Sequence, residues 1–306
     1  MESIAVKKSI NRVCFAIFIF IGILTALQFV SIILAFFEND LITGIFGAVS
    51  NAAAYFITAL IFKKAYAKDY VPMRTAPRVG SHPIPMILAA LAICFAASRL
   101  WSYFVSGEGT AQIFHEENIV IFMLSTALVP AFCEELFFRG VIMTNLMPLG
   151  RNFAIIASGI IFGLVHGNHD QIFFATFAGI AFGFIYAETG TIWCGVLAHL
   201  LNNFIAVVET VLWGTLKTGT AVKINLIIES FIMLCGVISI IYLIKIRKKE
   251  KREELAAGCF GTVSEKLLDG GKRYTVSQYV KGFFSPAMIA FLIYVVINEV
   301  TYVFLF

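Results

Sequence analysis

Three groups of polar residues interrupt long apolar runs of this 306-residue chain: Glu134, Glu135 and Arg139 in Pro130-Ala-Phe-Cys-Glu-Glu-Leu-Phe-Phe-Arg139, His166 in Phe162-Gly-Leu-Val-His166, and His199 with Asn203 in His199-Leu-Leu-Asn-Asn203. Ionisable groups inside a membrane span are costly and tend to face a cavity or one another. Elsewhere only Arg99, close enough to a span end to snorkel, and Glu209, Glu229 and Glu299 break the apolar blocks.

Spacing gives these residues geometry. On a helix Glu135 and Arg139 are four apart, so they share a face and can pair, offsetting part of each other's burial cost. Glu134 points about 100° away from Glu135 and is the carboxylate left for chemistry, beside a cation that favours its ionised form. His199 and Asn203 are also four apart and present an imidazole and a carboxamide to one neighbour. At about 1.5 Å per residue, Glu134 and His166 lie about 20 Å, and His199 with Asn203 about 14 to 20 Å, from the basic ends of their spans. Pro130, one turn before Glu134, frees a carbonyl and is expected to kink its helix and open a wet space.

A carboxylate and a histidine at one level can act as general base and acid on water. His199 and Asn203 could hold the oxyanion that results. That set suffices for peptide-bond hydrolysis without a covalent intermediate. A second version binds a zinc ion through Glu134, His166 and His199 and leaves one position for water. The sequence leaves both open, and the absence of an HExxH-type helix favours the glutamate version.

The elements that must position these groups are membrane helices. Hydrophobic residues make up 59% of the chain and charged ones 14%, against about 45–50% and about 25% in soluble domains. The fold class expected is an all-α, polytopic integral membrane bundle of about eight spans, near 11–37, 41–62, 84–104, 119–149, 152–167, 171–187, 190–213 and 224–246. A further apolar stretch at 283–306 is a candidate ninth. Lys7, Lys8 and Arg12, then Lys63, Lys64, Lys68, Arg74 and Arg78, and then the cluster from Lys245 to Arg252 mark cytoplasmic ends, while Glu38 to Asp40 and Ser106 to Asn118 lack Lys and Arg and should lie outside. Eight crossings return the last cluster to the side of the N-terminus. The basic cluster is chiefly a topology signal and can also hold anionic lipid. The chain divides into N-terminal spans (1–117), a core with the three motifs (118–213), a further span (214–246), and a polar segment containing Gly270-Gly271 with a C-terminal apolar helix (247–306). The first apolar run is too long for a signal-peptide core and is expected to stay in the protein. Six scattered cysteines without a CxxC pair imply neither a disulfide framework nor a cysteine-metal knot.

Taken together, EExxxR at Glu134, Glu135 and Arg139, FxxxH at Phe162 and His166, and HxxxN at His199 and Asn203 resemble the CAAX-protease and bacteriocin-processing family, which includes the Ras-converting CAAX endopeptidase. The resemblance covers about residues 118–205. It implies an all-helical membrane core, an intramembrane endopeptidase acting on a membrane-anchored or lipidated peptide, water activation by Glu134 with His166, an oxyanion role for His199 and Asn203, and support from Glu135 and Arg139. Family members have been discussed both as glutamate-dependent enzymes and as metalloproteases.

Two other classes compete. A proton- or ion-coupled transporter would use Glu134 and the histidines as a relay and would be supported by paired broken helices in two similar halves, but the polar residues all fall within one block. A non-catalytic scaffold for another membrane protein would use the same polar groups as interhelical ties. The partners expected are a peptide substrate and the bilayer, with no nucleic acid; a bacterial source would place the chain in the plasma membrane. Asn202 could be a site residue or a structural one. His169 and Asp170 read as outer-loop residues, and the 31 Phe as lipid-facing and packing groups.

Overall fold

The computed structural model describes residues 2–36, 40–66, 81–104, 119–256 and 274–305, which form helices and no strand. In chain order the helices are α1 (Glu2–Ala35), α2 (Asp40–Ala65), α3 (Pro83–Phe104), α4 (Ile119–Leu149), α5 (Arg151–Val165), α6 (His169–Thr189), α7 (Ile192–Thr215), α8 (Thr218–Ala256), α9 (Val276–Phe283) and α10 (Pro286–Leu305). The loop readings at Glu38, Lys68, Arg74, Arg78 and 106–118, with Cys259 and Gly270-Gly271, lie outside the described residues.

Seven of these helices are long and apolar enough to cross a membrane, and α9 with α10, bent by 61°, make an eighth candidate. The chain is a polytopic membrane helix bundle. Its count of about eight is reached differently from the sequence reading. The fifth run, expected to span, is a 15-residue helix, about 22 Å long against a hydrocarbon core of about 30 Å. Turn chemistry cuts it short. Gly150 at φ 125° precedes it, and Gly167 at φ 69° follows it, both in backbone regions that glycine enters without penalty. Asn168 then caps α6 by accepting from the Gln171 amide at 2.9 Å. At the other end of the chain, α8 runs on through the basic cluster to Ala256, because Lys, Arg and Glu are good helix formers. The expected ninth span starts only after the break between Phe283 and Pro286.

Ion pairs fix which helix ends share a side. Glu188 at the end of α6 accepts from Arg151 at the start of α5 (2.5 Å) and from Arg247 on α8 (2.7 Å). His82, just before α3, sits 3.3 Å from the Tyr242 hydroxyl and 4.0 Å from Glu250 of α8. Amphipathic α9 lies at the same level, with the Tyr279 hydroxyl donating to the Leu149 carbonyl at 2.5 Å.

Close packing centres on the α5–α6 hairpin. A Cβ on Gly163 would come within 2.6 Å of the Ile172 carbonyl, and one on Gly179 within 2.9 Å of the Gly159 Cα. Small residues four apart let two backbones approach in lipid, where helix association relies on van der Waals contact. One apolar cluster joins α1, α2, α4, α5 and α10 around Phe20, Phe137, Phe138 and Phe162. A second joins α3, α6, α7 and α8 around Leu91, Phe182, Ala198 and Ile232. The motif residues lie at the seam between them.

Candidate active site

Helix α4 is irregular where it carries the site. Leu124–Leu128 and Phe138–Met143 are π-helical and flank the α-helical Val129–Phe137 that bears Glu134 and Glu135. Pro130 explains the first irregularity, since it has no N–H to offer the Thr126 carbonyl four residues back. Asn203 of α7 donates its Nδ2 to that carbonyl at 3.1 Å, and its Oδ1 accepts from Asn202 at 3.2 Å. The expected kink thus takes the form of a π-bulge, a feature frequent at functional sites.

Glu135 and Arg139 form a two-point ion pair, Nε to Oε2 at 2.9 Å and Nη2 to Oε1 at 3.2 Å, with both side chains fully buried. His199 completes the group, with Nδ1 3.4 Å from Glu135 Oε1 and Nε2 3.9 Å from Glu134 Oε2. At these distances, and without hydrogen-bond alignment at Nδ1, the contacts are electrostatic. Two carboxylates, one guanidinium and an imidazole therefore share one buried volume.

Packing orients the imidazole. Phe182 of α6 stacks on the His199 ring at 5.1 Å, and Phe162 of α5 meets it edge-on at 5.8 Å. Gly195, one turn earlier on α7, admits Glu135: a Cβ there would lie 2.7 Å from Oε2. Tyr55 of α2, stacked with Phe20 at 4.3 Å, brings its buried phenol close to the Glu134 carboxylate.

His166 stands apart from the charged group. Its Nδ1 lies 2.8 Å from the Phe162 carbonyl. A carbonyl only accepts, so Nδ1 carries a hydrogen, and in the neutral ring the lone pair is then on Nε2. Its ring packs on Phe162 at 4.9 Å, so both motif histidines touch one phenylalanine. Among the described residues no ion pair joins His166 to Glu134, and no three His, Cys, Asp or Glu side chains group as metal ligands. The donor set Glu134, His166 and His199 does not converge here, and the metalloprotease version gains no support from it.

Other sequence readings are relocated. Arg99 does not simply snorkel: it hydrogen-bonds Glu229 of α8, with Nε to Oε2 at 3.0 Å. His169, read as an outer-loop residue, is the first residue of α6 and is tied to Glu299 of α10 at 2.6 Å. Sequence reasoning missed Tyr55, Phe182, Thr126 and Gly195. Gly195 had a signal, because Gly195, His199 and Asn203 recur every four residues along one helix face.

Residues 116–205 match the family model described as type II CAAX prenyl endopeptidase Rce1-like. Over this stretch, less than a third of the chain, the protein is similar to that family, in line with the resemblance carried by its three motifs. This Rce1-like block holds Glu134, Glu135, Arg139, His166, His199 and Asn203, whereas Tyr55 reaches it from outside. A 95-residue alignment gives 30% identity to the protein named "Putative membrane peptidase YdiL" of Bacillus subtilis (strain 168), covering 30% of this chain. The alignment spans 39% of that relative's length. No solved structure matches the chain.

Proposed function

We propose that the chain is an intramembrane endopeptidase that hydrolyses a peptide bond of a membrane-associated substrate, using water activated by Glu134. The observation that carries this reading is the buried group in which Glu134 Oε2 stands 3.9 Å from His199 Nε2, while Glu135 is already engaged by Arg139. Glu135 is held by its ion pair, so Glu134 is the carboxylate available to take a proton.

Glu134 removes a proton from water as its oxygen attacks the scissile carbonyl carbon. The oxyanion is received by the N–H of His199 and by the second amide hydrogen of Asn203, whose first is held by Thr126. Glu134 then passes its proton to the leaving amide nitrogen as the C–N bond breaks. His166, with its Nδ1 hydrogen fixed on a backbone carbonyl, offers Nε2 as an acceptor that orients the water. CAAX-like lipidated peptides are the substrate class the Rce1-like block suggests. The basic residues at the start of α1 and the end of α2 favour a cytoplasmic N-terminus and a site entered from the cytoplasm.

The test is cleavage of lipidated and unlipidated fluorogenic peptides by purified protein, with Glu134→Ala, His166→Ala and a chelator as parallel arms. Cleavage lost in both variants and insensitive to chelator supports this mechanism. Cleavage abolished by chelator and restored by zinc moves the reading to the metal version, and cleavage surviving in both variants removes the assigned site.

A further inference from the structure

Helix α9 and its C-cap divide into three sectors around the helix axis. At about 100° per residue, Gln278, Tyr279, Gly282 and Phe283 fall on one side, Val276 and Val280 with the cap residue Phe284 on the next, and Ser277 with Lys281 on the third. The first sector packs on the protein. Tyr279 stacks on Phe153 of α5 at 4.5 Å and donates to the Leu149 carbonyl, and a Cβ on Gly282 would meet the Val6 side chain of α1. The second sector is open, with Val276 79%, Phe284 52% and Val280 50% exposed. The third is polar, and α9 carries one lysine and no carboxylate.

Helix α10 sets the depth at which the open stripe lies. It has 20 residues, about 30 Å of helix, which matches a hydrocarbon core of about 30 Å. Its first residue, Pro286, therefore stands at one boundary of that core. Helix α9 ends at Phe283, just before it, and is turned from it by 61°, so it runs along the boundary and not across it. The stripe of every fourth residue also carries on into the spanning helix, where Ile289, Ile293 and Ile297 are all exposed. Protein on one flank, an apolar stripe on the next and polar side chains on the third is the arrangement of a helix lying in the membrane interface against the side of a bundle.

We propose that α9 is an interfacial helix whose stripe of Val276, Val280 and Phe284 is seated in the headgroup and acyl boundary of the bilayer, on the side of the basic helix ends. Lys281 then stands on the water side, at the level of the lipid phosphates. Because Tyr279 holds the carbonyl of Leu149, next to Gly150, the seated helix ties the turn between α4 and α5 to the membrane surface. This placement does not depend on the peptidase reading.

Tryptophan quenching in the full chain tests it, with Val276→Trp, Val280→Trp and Lys281→Trp as separate variants in phosphatidylcholine nanodiscs, each read as the difference from the parent chain with its three Trp. Lipid brominated on its acyl chains should quench the added emission of Val276→Trp and Val280→Trp about twofold or more, as expected for side chains a few ångströms into the acyl boundary, while aqueous acrylamide leaves it unchanged. Lys281→Trp should show the reverse. Val276, the more exposed of the two valines, carries the test should Val280→Trp fail to fold. Quenching of the valine positions by acrylamide and not by brominated lipid would place the stripe in water, and protection from both quenchers would show it covered by protein, a second copy included. Either result, or equal quenching by brominated lipid at all three positions, would overturn the assignment.

Discussion

Asn203 Nδ2 donates to the Thr126 carbonyl at 3.1 Å, and Thr126 stands four residues before Pro130, the one residue type with no N–H to return. The side chain read from sequence as an oxyanion donor thus also holds the irregular turn of α4 against α7. Interhelical hydrogen bonds in membranes are worth about 0.6 kcal/mol on average and up to about 1.7. Asn203→Ala should therefore lower unfolding free energy in detergent by that order. Pro130→Ala supplies a competing amide, so Asn203→Ala should cost less in that background. Fully additive losses in the double-mutant cycle would show that the two are uncoupled.

Arg139 and Glu135 are fully buried, and removing one member leaves the other charge uncompensated. Arg139→Met should cost about 3–5 kcal/mol, read as a collapse of Tm or of folded yield. Arg139→Lys, which keeps the charge but cannot make the two-point contact, should fall between Arg139→Met and wild type. Normal stability of Arg139→Met would mean that the pair is not what holds α4 at this level.

Gly195 gives a packing test with an internal control. A methyl there would sit 2.7 Å from Glu135 Oε2, whereas one on Gly219 meets nothing within 4 Å. Gly195→Ala should destabilise by about 1–3 kcal/mol through overpacking and reduce cleavage by displacing Glu135 from His199. Gly219→Ala should do neither, and matching behaviour of the two would refute the close approach of α7 to α4.

The Tyr55 phenol lies close to Glu134 and belongs to a helix outside the motif block. A phenol that donates to the charged carboxylate during turnover would contribute about 1.5–3 kcal/mol, so Tyr55→Phe should lower kcat about tenfold or more. Glu134→Gln should cost about 10²- to 10⁴-fold. If kcat in Tyr55→Phe matches wild type while the fold is intact, the hydroxyl does not act on the reacting carboxylate.

Helix α10 is tied to the turn that follows His166. Asn298 Nδ2 donates to the Gly167 carbonyl at 3.0 Å, and Glu299 pairs with His169 at 2.6 Å. Asn298→Ala with Glu299→Gln should lower kcat more than it raises KM, because the turn that sets His166 loosens while substrate contacts stay. An unchanged kcat would make α10 a packing element only.

The sequence by itself determined the class of the fold and the identity of the buried polar residues. Lipid leaves a backbone few options, so runs of 20 or more apolar residues fix membrane helices, and a polar group inside such a run stands out because burying it is costly. Helical periodicity also gave the shared face of Glu135 with Arg139 and of His199 with Asn203. Periodicity says nothing, however, about which face meets which helix. That rotation is set by contacts between elements distant in sequence, at Gly159, Gly163, Gly179 and Gly195, where missing side chains let backbones close up. Only the tertiary structure therefore placed His199 between the two glutamates, gave the carbonyl before Pro130 to Asn203, and brought Tyr55 to Glu134. The length of α5 was legible, since the run at 152–167 matches the helix Arg151–Val165 within two residues; taking it as a full span overlooked that such a length falls short of a hydrocarbon core of about 30 Å.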